Sequence, residues 1–451
     1  MEISAHYITD ADAGSTTRKV ALRLKGLKRE DQESAHITFV LDTSGSMDDG
    51  GRLASCKKSI SFVLELMRDT DAVSIVLFDD NAKVIVKCMD TTAENKVRLL
   101  TLVDTIVTGG CTNMSAGLIE AKTLIEPVGS LRKQGLVLLT DGIANLGVWD
   151  PEKLFQIVRG VVDGREGLTV NTVGYGLSHN VDLLSKISDW TSGTYSVVNS
   201  LEDVATVFGS ILGSMVSTTA QTVKVGLPPG YKMISKLASE LTGNYTVVRV
   251  GDIQSEVSQI LLLEVDATAT LPIHVSGYNL LDHTTIDISL THGPVPMMTD
   301  SDRVSLEFAF LRIEVVSLIT EIRGTLNGGR STSTAEQKAA FLAKIITLKS
   351  QLDSAHSSLA SMTSVMKADL IMLERALNGM SSHDMGFLSQ HTAVYTSGRG
   401  MTSLGGANGS SDPEDNMTAP VDTTASPMMS TQARQYASLL RARSHNPDPS
   451  V

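Results

Sequence analysis

The chain has 451 residues, with 50 acidic against 38 basic residues, a formal charge of −12, and 42% hydrophobic residues. That length and hydrophobic share can supply a packed core to each of two or three domains. The acidic balance, with basic pairs such as Lys28-Arg29 and Lys57-Lys58 scattered, argues against a protein that tracks a nucleic-acid backbone.

The first residues, "MEISAHYITDADAG", show neither a basic leader nor an apolar run, and no stretch reaches the roughly 18 uninterrupted apolar residues of a membrane span. Cys56, Cys88 and Cys111 form neither a disulfide framework nor the paired spacing of a zinc site. The expectation is an intracellular, cytoplasmic chain in a reducing compartment. The sequons at Asn113, Asn244, Asn408 and Asn416 carry no functional meaning in that setting.

In chain order, "TTRKVALRLKGL" alternates as a half-buried strand does, and residues 1–35 are read as strands belonging to a later sheet. Residues 36–214 alternate β-branched runs with helix-period segments, the pattern of a doubly wound, mostly parallel α/β sheet. Its strands are expected at 36–42, 72–79, 82–88, 135–141, 168–176 and 194–198. In the first helix Leu53, Cys56, Ile60, Val63, Leu64 and Met67 make one apolar face, on which Cys56 is read as a small core residue.

Residues 215–302 read as an antiparallel β-sandwich, with the α/β unit inserted in or beside it. Residues 303–381 turn helical, burying a stripe that includes Leu342, Leu348, Leu352, Leu359, Leu370 and Leu377. An antiparallel hairpin packed on the rest of the protein is expected there, with a coiled coil to a partner as the alternative and the serine-rich stretch 357–364 as a place to break. Residues 382–451 are read as a mostly disordered tail, rich in Gly, Ser, Thr, Asp and Pro over 397–431, with a short helix at 431–443.

The chemistry concentrates in "FVLDTSGSMDDGGRL". A loop leaving the carboxyl end of a parallel strand lies where α/β sheets place ligands. Read as an extended turn, it points Asp42, Ser44 and Ser46 to one side, a hard-oxygen set with one formal charge that suits Mg²⁺, with Mn²⁺ or Ca²⁺ as alternatives. Alone, D-x-S-x-S is weak, because Ser and Asp are common in turns. Two more loops strengthen it, "TGGCTNMSAGL" with Thr112 and "VLLTDGIANLG" with Asp141, both opening on the same sheet edge.

With these three motifs, and "NTVGYGLSHNVDLLSKISDWTSGTYSVVNSLEDV" after them, residues 36–214 resemble a von Willebrand factor type A (VWA) domain with an intact metal-ion-dependent adhesion site. The resemblance implies that Ser44 and Ser46 bind the metal directly, Thr112 directly or through water, and Asp42 and Asp141 mostly through water. An acidic residue of a protein partner would complete the shell. The overall order, through "MGFLSQHTAVYTSGRG", also resembles intracellular VWA proteins related to plant VWA/RING ubiquitin ligases. Three cysteines cannot supply the eight Cys/His ligands of a RING, so ligase activity is not carried over. Cys111 departs from the glycine usual there; it could narrow the site, touch a thiophilic metal, or be a tolerated small residue.

A hydrolase is the first rival, but Ser44 stands where an aspartyl-phosphate site needs its second acid, and the chain is read as no enzyme. A nucleotide switch is the second, and the chain lacks the glycine-rich phosphate cradles. His179 is read as a loop-packing or capping residue, and Asp79 and Asp80 as a solvated turn or a second cation site. The resulting expectation is a metal-dependent protein-interaction module. The alternative is a scaffold in which the helices make the contacts.

Overall fold

The computed structural model describes residues 1–378 apart from 8–16, 30–33, 126–131, 166, 177, 200, 235–236, 238, 267–268, 270–271, 291–299, 328–329 and 332–333. The tail at 382–451, with its expected helix at 431–443, lies outside the described residues.

Two strands, β1 (Glu2–Tyr7) and β2 (Thr17–Lys25), open the chain. An α/β unit follows: β3 (Ala35–Asp42), α1 (Arg52–Leu66), β4 (Ala72–Phe78), β5 (Ala82–Asp90), α2 (Ala93–Asp104), α3 (Met114–Leu124) and β6 (Lys133–Thr140). It continues through α4 (Pro151–Val162), β7 (Thr169–Tyr175), α5 (Val181–Trp190), β8 (Tyr195–Val198) and α6 (Leu201–Val216). Its sheet runs β5-β4-β3-β6-β7-β8, parallel except for β5.

Every residue of β3 is buried, because helices cover both sheet faces. Alternate side chains serve opposite cores: Ile37 and Phe39 join Ile60, Phe208 and Leu212, while Val40 joins Leu118, Phe155 and Leu184. Sequential connections leave β3 in one direction and β6 in the other, so the crevice between their carboxyl ends is the topological switch point. Asp42 ends β3, and Asp141 directly follows β6.

The second unit is a two-sheet antiparallel sandwich of β9 (Thr218–Leu227), β10 (Tyr231–Met233), β11 (Ser239–Thr242), β12 (Tyr245–Gln254), β13 (Ser258–Asp266), β14 (Ile273–Asn279) and β15 (Thr284–Leu290). One sheet runs β1-β2-β13-β10 and the other β11-β12-β9-β14-β15. Strand β2 pairs along β13, Leu22 opposite Leu261, so segments more than two hundred residues apart share a sheet. Leu22, Leu24, Leu261 and Leu263 meet Val223, Val225, Val248 and Val275 between the layers.

Helices α7 (Asp300–Gly324), α8 (Ala335–Ser354) and α9 (Ala360–Leu377) bury a common stripe through Val315, Ile319, Ile345, Leu348, Leu370 and Leu373. This is a three-helix cluster rather than a hairpin alone. Phe310 and Ile313 of α7 rest on Ala21 and Leu262, the outer face of the β2–β13 pair. The break falls at Ala355, in extended conformation, and most of the serine-rich stretch is helical.

The sandwich meets the α/β unit at the amino-terminal edge of its sheet. There the Lys133 ammonium lies 2.5 Å from Asp252 Oδ2 and donates to the Gly167 carbonyl, with both charged side chains almost wholly buried. The carboxyl-terminal edge, with the switch point, stays clear of this junction.

His179 is a packing residue and not a cap; the Asn180 side chain caps α5. The imidazole lies over Gly174, where an added Cβ would sit 2.2 Å from the ring, and its Nε2 meets the Tyr195 hydroxyl at 2.6 Å. Burial is the main cause that lowers its pKa from 6.5 to about 4. A histidine buried neutral stabilises the fold fully above the unfolded value, and this contribution is lost as pH falls through the folded one. The His179 contribution to stability should therefore fall by about 3 kcal/mol between pH 6.5 and 4, against an opposite contribution from Asp42. Comparing urea melts of wild type and His179→Gln isolates this effect, since Asp42 titrates in both; parallel stability curves over that range would refute it.

Candidate metal site

The D-x-S-x-S loop converges differently from an extended turn. Ser44 is extended, but Gly45–Gly51 winds into a 3₁₀ turn anchored by the fully buried Met47, and this turn brings Ser46 back beside Ser44. The two hydroxyl oxygens are 3.2 Å apart, and Ser46 Oγ donates to Asp141 Oδ1 at 2.8 Å. A Cβ added at Gly142 would stand 3.8 Å from both Ser46 Oγ and Thr112 Oγ1, so those oxygens border one small space.

Asp42 is fully buried. Its Oδ1 accepts the Ser44 amide at 2.9 Å and its Oδ2 accepts the Thr140 hydroxyl at 2.6 Å. Burial raises the Asp42 carboxyl from 3.8 to about 6, the hydrogen bonds from Thr140 and Ser44 hold it down in part, and neighbouring Asp141 pushes it up. A desolvated carboxylate among hydroxyls is one that a small cation would stabilise.

The Thr112 loop is fixed from several sides. Gly45 donates to the Gly110 carbonyl and Gly109 to that of Thr43, tying it to the first loop. Asp80 Oδ1 accepts the Cys111 amide at 2.8 Å, Asn113 donates to the Asp79 carbonyl, and Asn145 Oδ1 accepts the Thr112 amide at 2.8 Å. Asp79 and Asp80 thus clamp this loop. Cys111 is exposed, and its thiol is raised by the hydrogen bond to Asp80, which disfavours the thiolate a soft metal would need. Cys56 is buried in the core, as its place on the α1 face implies.

Sequence reasoning missed Arg52. Its Nη1 lies 2.6 Å from Asp141 Oδ2 and 3.1 Å from the Ser46 carbonyl. A signal was available: Arg52 opens α1, where the helix dipole disfavours a cation unless a carboxylate lies nearby.

The donor set fits a hard divalent cation: three hydroxyls and two carboxylates at a strand-end crevice, oxygen only. Among the described residues no group of three or more His, Cys, Asp or Glu side chains gathers to hold a metal, so hydroxyls must supply much of any shell.

A family model of the von Willebrand factor type A domain matches residues 36–209. The chain is 28% identical over 211 residues to the uncharacterized protein YfbK of Escherichia coli, a match covering 46% of this chain and 35% of that one. It is 27% identical over 160 residues to human inter-alpha-trypsin inhibitor heavy chain H3, covering 34% and 18%. The chain therefore spans well under two thirds of these relatives. Two solved structures share the fold. The von Willebrand factor type A protein from Catenulispora acidiphila has a TM-score of 0.54 at 15% identity, covering 82% of this chain and 88% of that one. The ArnB paralog VWA2 from Sulfolobus acidocaldarius has a TM-score of 0.51 at 12% identity, covering 87% and 97%.

Proposed function

Since residues 36–209 are a von Willebrand factor type A domain, of a family known for protein–protein interaction and metal binding, we propose that the chain is a metal-dependent protein-interaction module. The observation that carries this reading is the gathering of the Ser44, Ser46 and Thr112 hydroxyls with Asp141 at the switch point. Ser44, Ser46 and Thr112 would hold Mg²⁺ or a similar ion, with Asp42 and Asp141 ordering its waters. A cation so held keeps positive charge and takes an anionic oxygen, the carboxylate of a partner Asp or Glu. The reading is of binding rather than catalysis.

The surroundings support a protein partner. Ile143, Leu146 and Trp149, on the loop after Asp141, are 59%, 38% and 64% exposed, an apolar border beside a polar centre. No described helix is long and apolar enough to cross a membrane. Cys56, Cys88 and Cys111 stand as thiols, which fits the proposed intracellular setting.

Pull-down from the native source with Mg²⁺ and with EDTA tests the proposal. Binding is expected to need the metal, to weaken about a hundredfold in Ser46→Ala, and to depend on one partner carboxylate. Trp149→Ala should weaken binding while leaving Mg²⁺ affinity unchanged. Equal capture by wild type and Ser46→Ala in EDTA would replace this reading with the scaffold one, for which Ile346 of α8 and Ile371 of α9, 64% and 43% exposed, offer a surface.

A further inference from the structure

At the sheet edge opposite the metal site, α4 and α5 face β9 and β12 across a cleft of about 570 Å³. Cations dominate its wall: Arg159, Arg165, Lys224 and Arg249, with Asp163 the acidic lining residue. In a chain of net charge −12 this is a local inversion of sign.

Two features make the inversion more than a scatter of surface charges. Lys224 and Arg249 are paired directly across β9 and β12, between Val223, Val225, Val248 and Val250 that face the sandwich core. Like charges directly opposite on one sheet face destabilise the pairing unless something neutralises them. Arg249 is held at 4.2 Å and Arg159 at 4.9 Å from the centre of the Trp190 ring, so both guanidinium planes are fixed by packing before any ligand arrives.

The protein supplies little countercharge. Glu240 reaches Arg249 at 3.1 Å, and Arg165 donates to the carbonyls of Val161 and Asp163. Among the described residues neither Arg159 nor Lys224 has a carboxylate partner.

We propose that this cleft binds a soluble phosphate ester or polyphosphate. A phosphoryl group offers oxygens in three directions and can accept from several of the cations that line the cleft, Lys224 and Arg249 from two paired strands and Arg159 from a helix. The two coplanar oxygens of a carboxylate match one guanidinium fork. The cleft volume lies in the range of small-molecule sites.

Titration calorimetry of the full chain with pyrophosphate and with ATP, in EDTA so that the metal site is silent, tests the assignment. Saturable binding is expected, weakened about tenfold or more in each of Lys224→Gln and Arg159→Gln. Lys232→Gln, which alters a lysine facing Glu264 and not among the cleft residues, should bind as wild type does. Unfolding curves verify that the variants are folded. Absent binding, or equal binding in wild type and both cleft variants, would overturn the site. Tighter binding of citrate than of pyrophosphate would overturn the phosphate assignment. Sedimentation with phosphoinositide-doped phosphatidylcholine vesicles, without binding of either soluble probe, would overturn the soluble source.

Discussion

Asp252→Ala is expected to destabilise the protein by about 3–5 kcal/mol, because it strands a buried ammonium at the junction of the two sheet systems. Lys133 is 1% exposed and Asp252 6%, so water cannot replace the lost carboxylate. Asp252 Oδ1 also accepts the Thr222 amide, at a residue with φ of +52°, so its loss further frees a strained turn of β9. The effect should spread beyond the junction: the sandwich and the α/β unit should unfold in separate steps where wild type unfolds in one. A double replacement, Lys133→Met with Asp252→Leu, removes both charges together and should recover most of the loss. Urea unfolding followed by far-UV circular dichroism reads both outcomes. A single variant within about 1 kcal/mol of wild type would mean that the ammonium finds other partners.

This junction shows what the sequence could and could not display. The α/β sheet was legible because a strand buried on both faces has few alternatives: Ala35–Asp42 is mostly apolar or β-branched, interrupted only by His36, and ends in a carboxylate. Ser44, Ser46, Thr112 and Asp141 could be named because each follows such a strand or a glycine-rich loop. The Lys133–Asp252 pair has no local signature, since its members lie 119 residues apart and each looks like an ordinary surface charge. Asp80 looked like a turn residue, and its grip on the Cys111 amide exists only once the loops meet. Thr140 sits within a strand, where a threonine is unremarkable, and only the register of β3 beside β6 brings its hydroxyl to Asp42.

Arg52, whose place at the start of α1 was the signal available in the sequence, carries the largest effect expected at the proposed metal site. Its guanidinium occupies the Asp141 carboxylate, so it supplies in part the positive charge that a divalent cation would supply. An incoming cation meets that charge at close range, where two cations repel by several kcal/mol even at an effective dielectric near 20. Arg52→Gln should therefore bind Mg²⁺ about tenfold more tightly. The same change leaves buried Asp141 with Ser46 as its remaining named donor, so the variant should be less stable than wild type in EDTA by about 1–3 kcal/mol. Saturating Mg²⁺ should then raise its thermal midpoint more than it raises that of wild type. Asp42→Ala should show no Mg²⁺-dependent shift, which separates site binding from general ionic effects. Calorimetric Mg²⁺ affinity and thermal unfolding with and without the ion give the measurement. If Arg52→Gln binds Mg²⁺ more weakly than wild type, Arg52 acts by holding Asp141 in place for the ion, and the competition argued from its position is wrong.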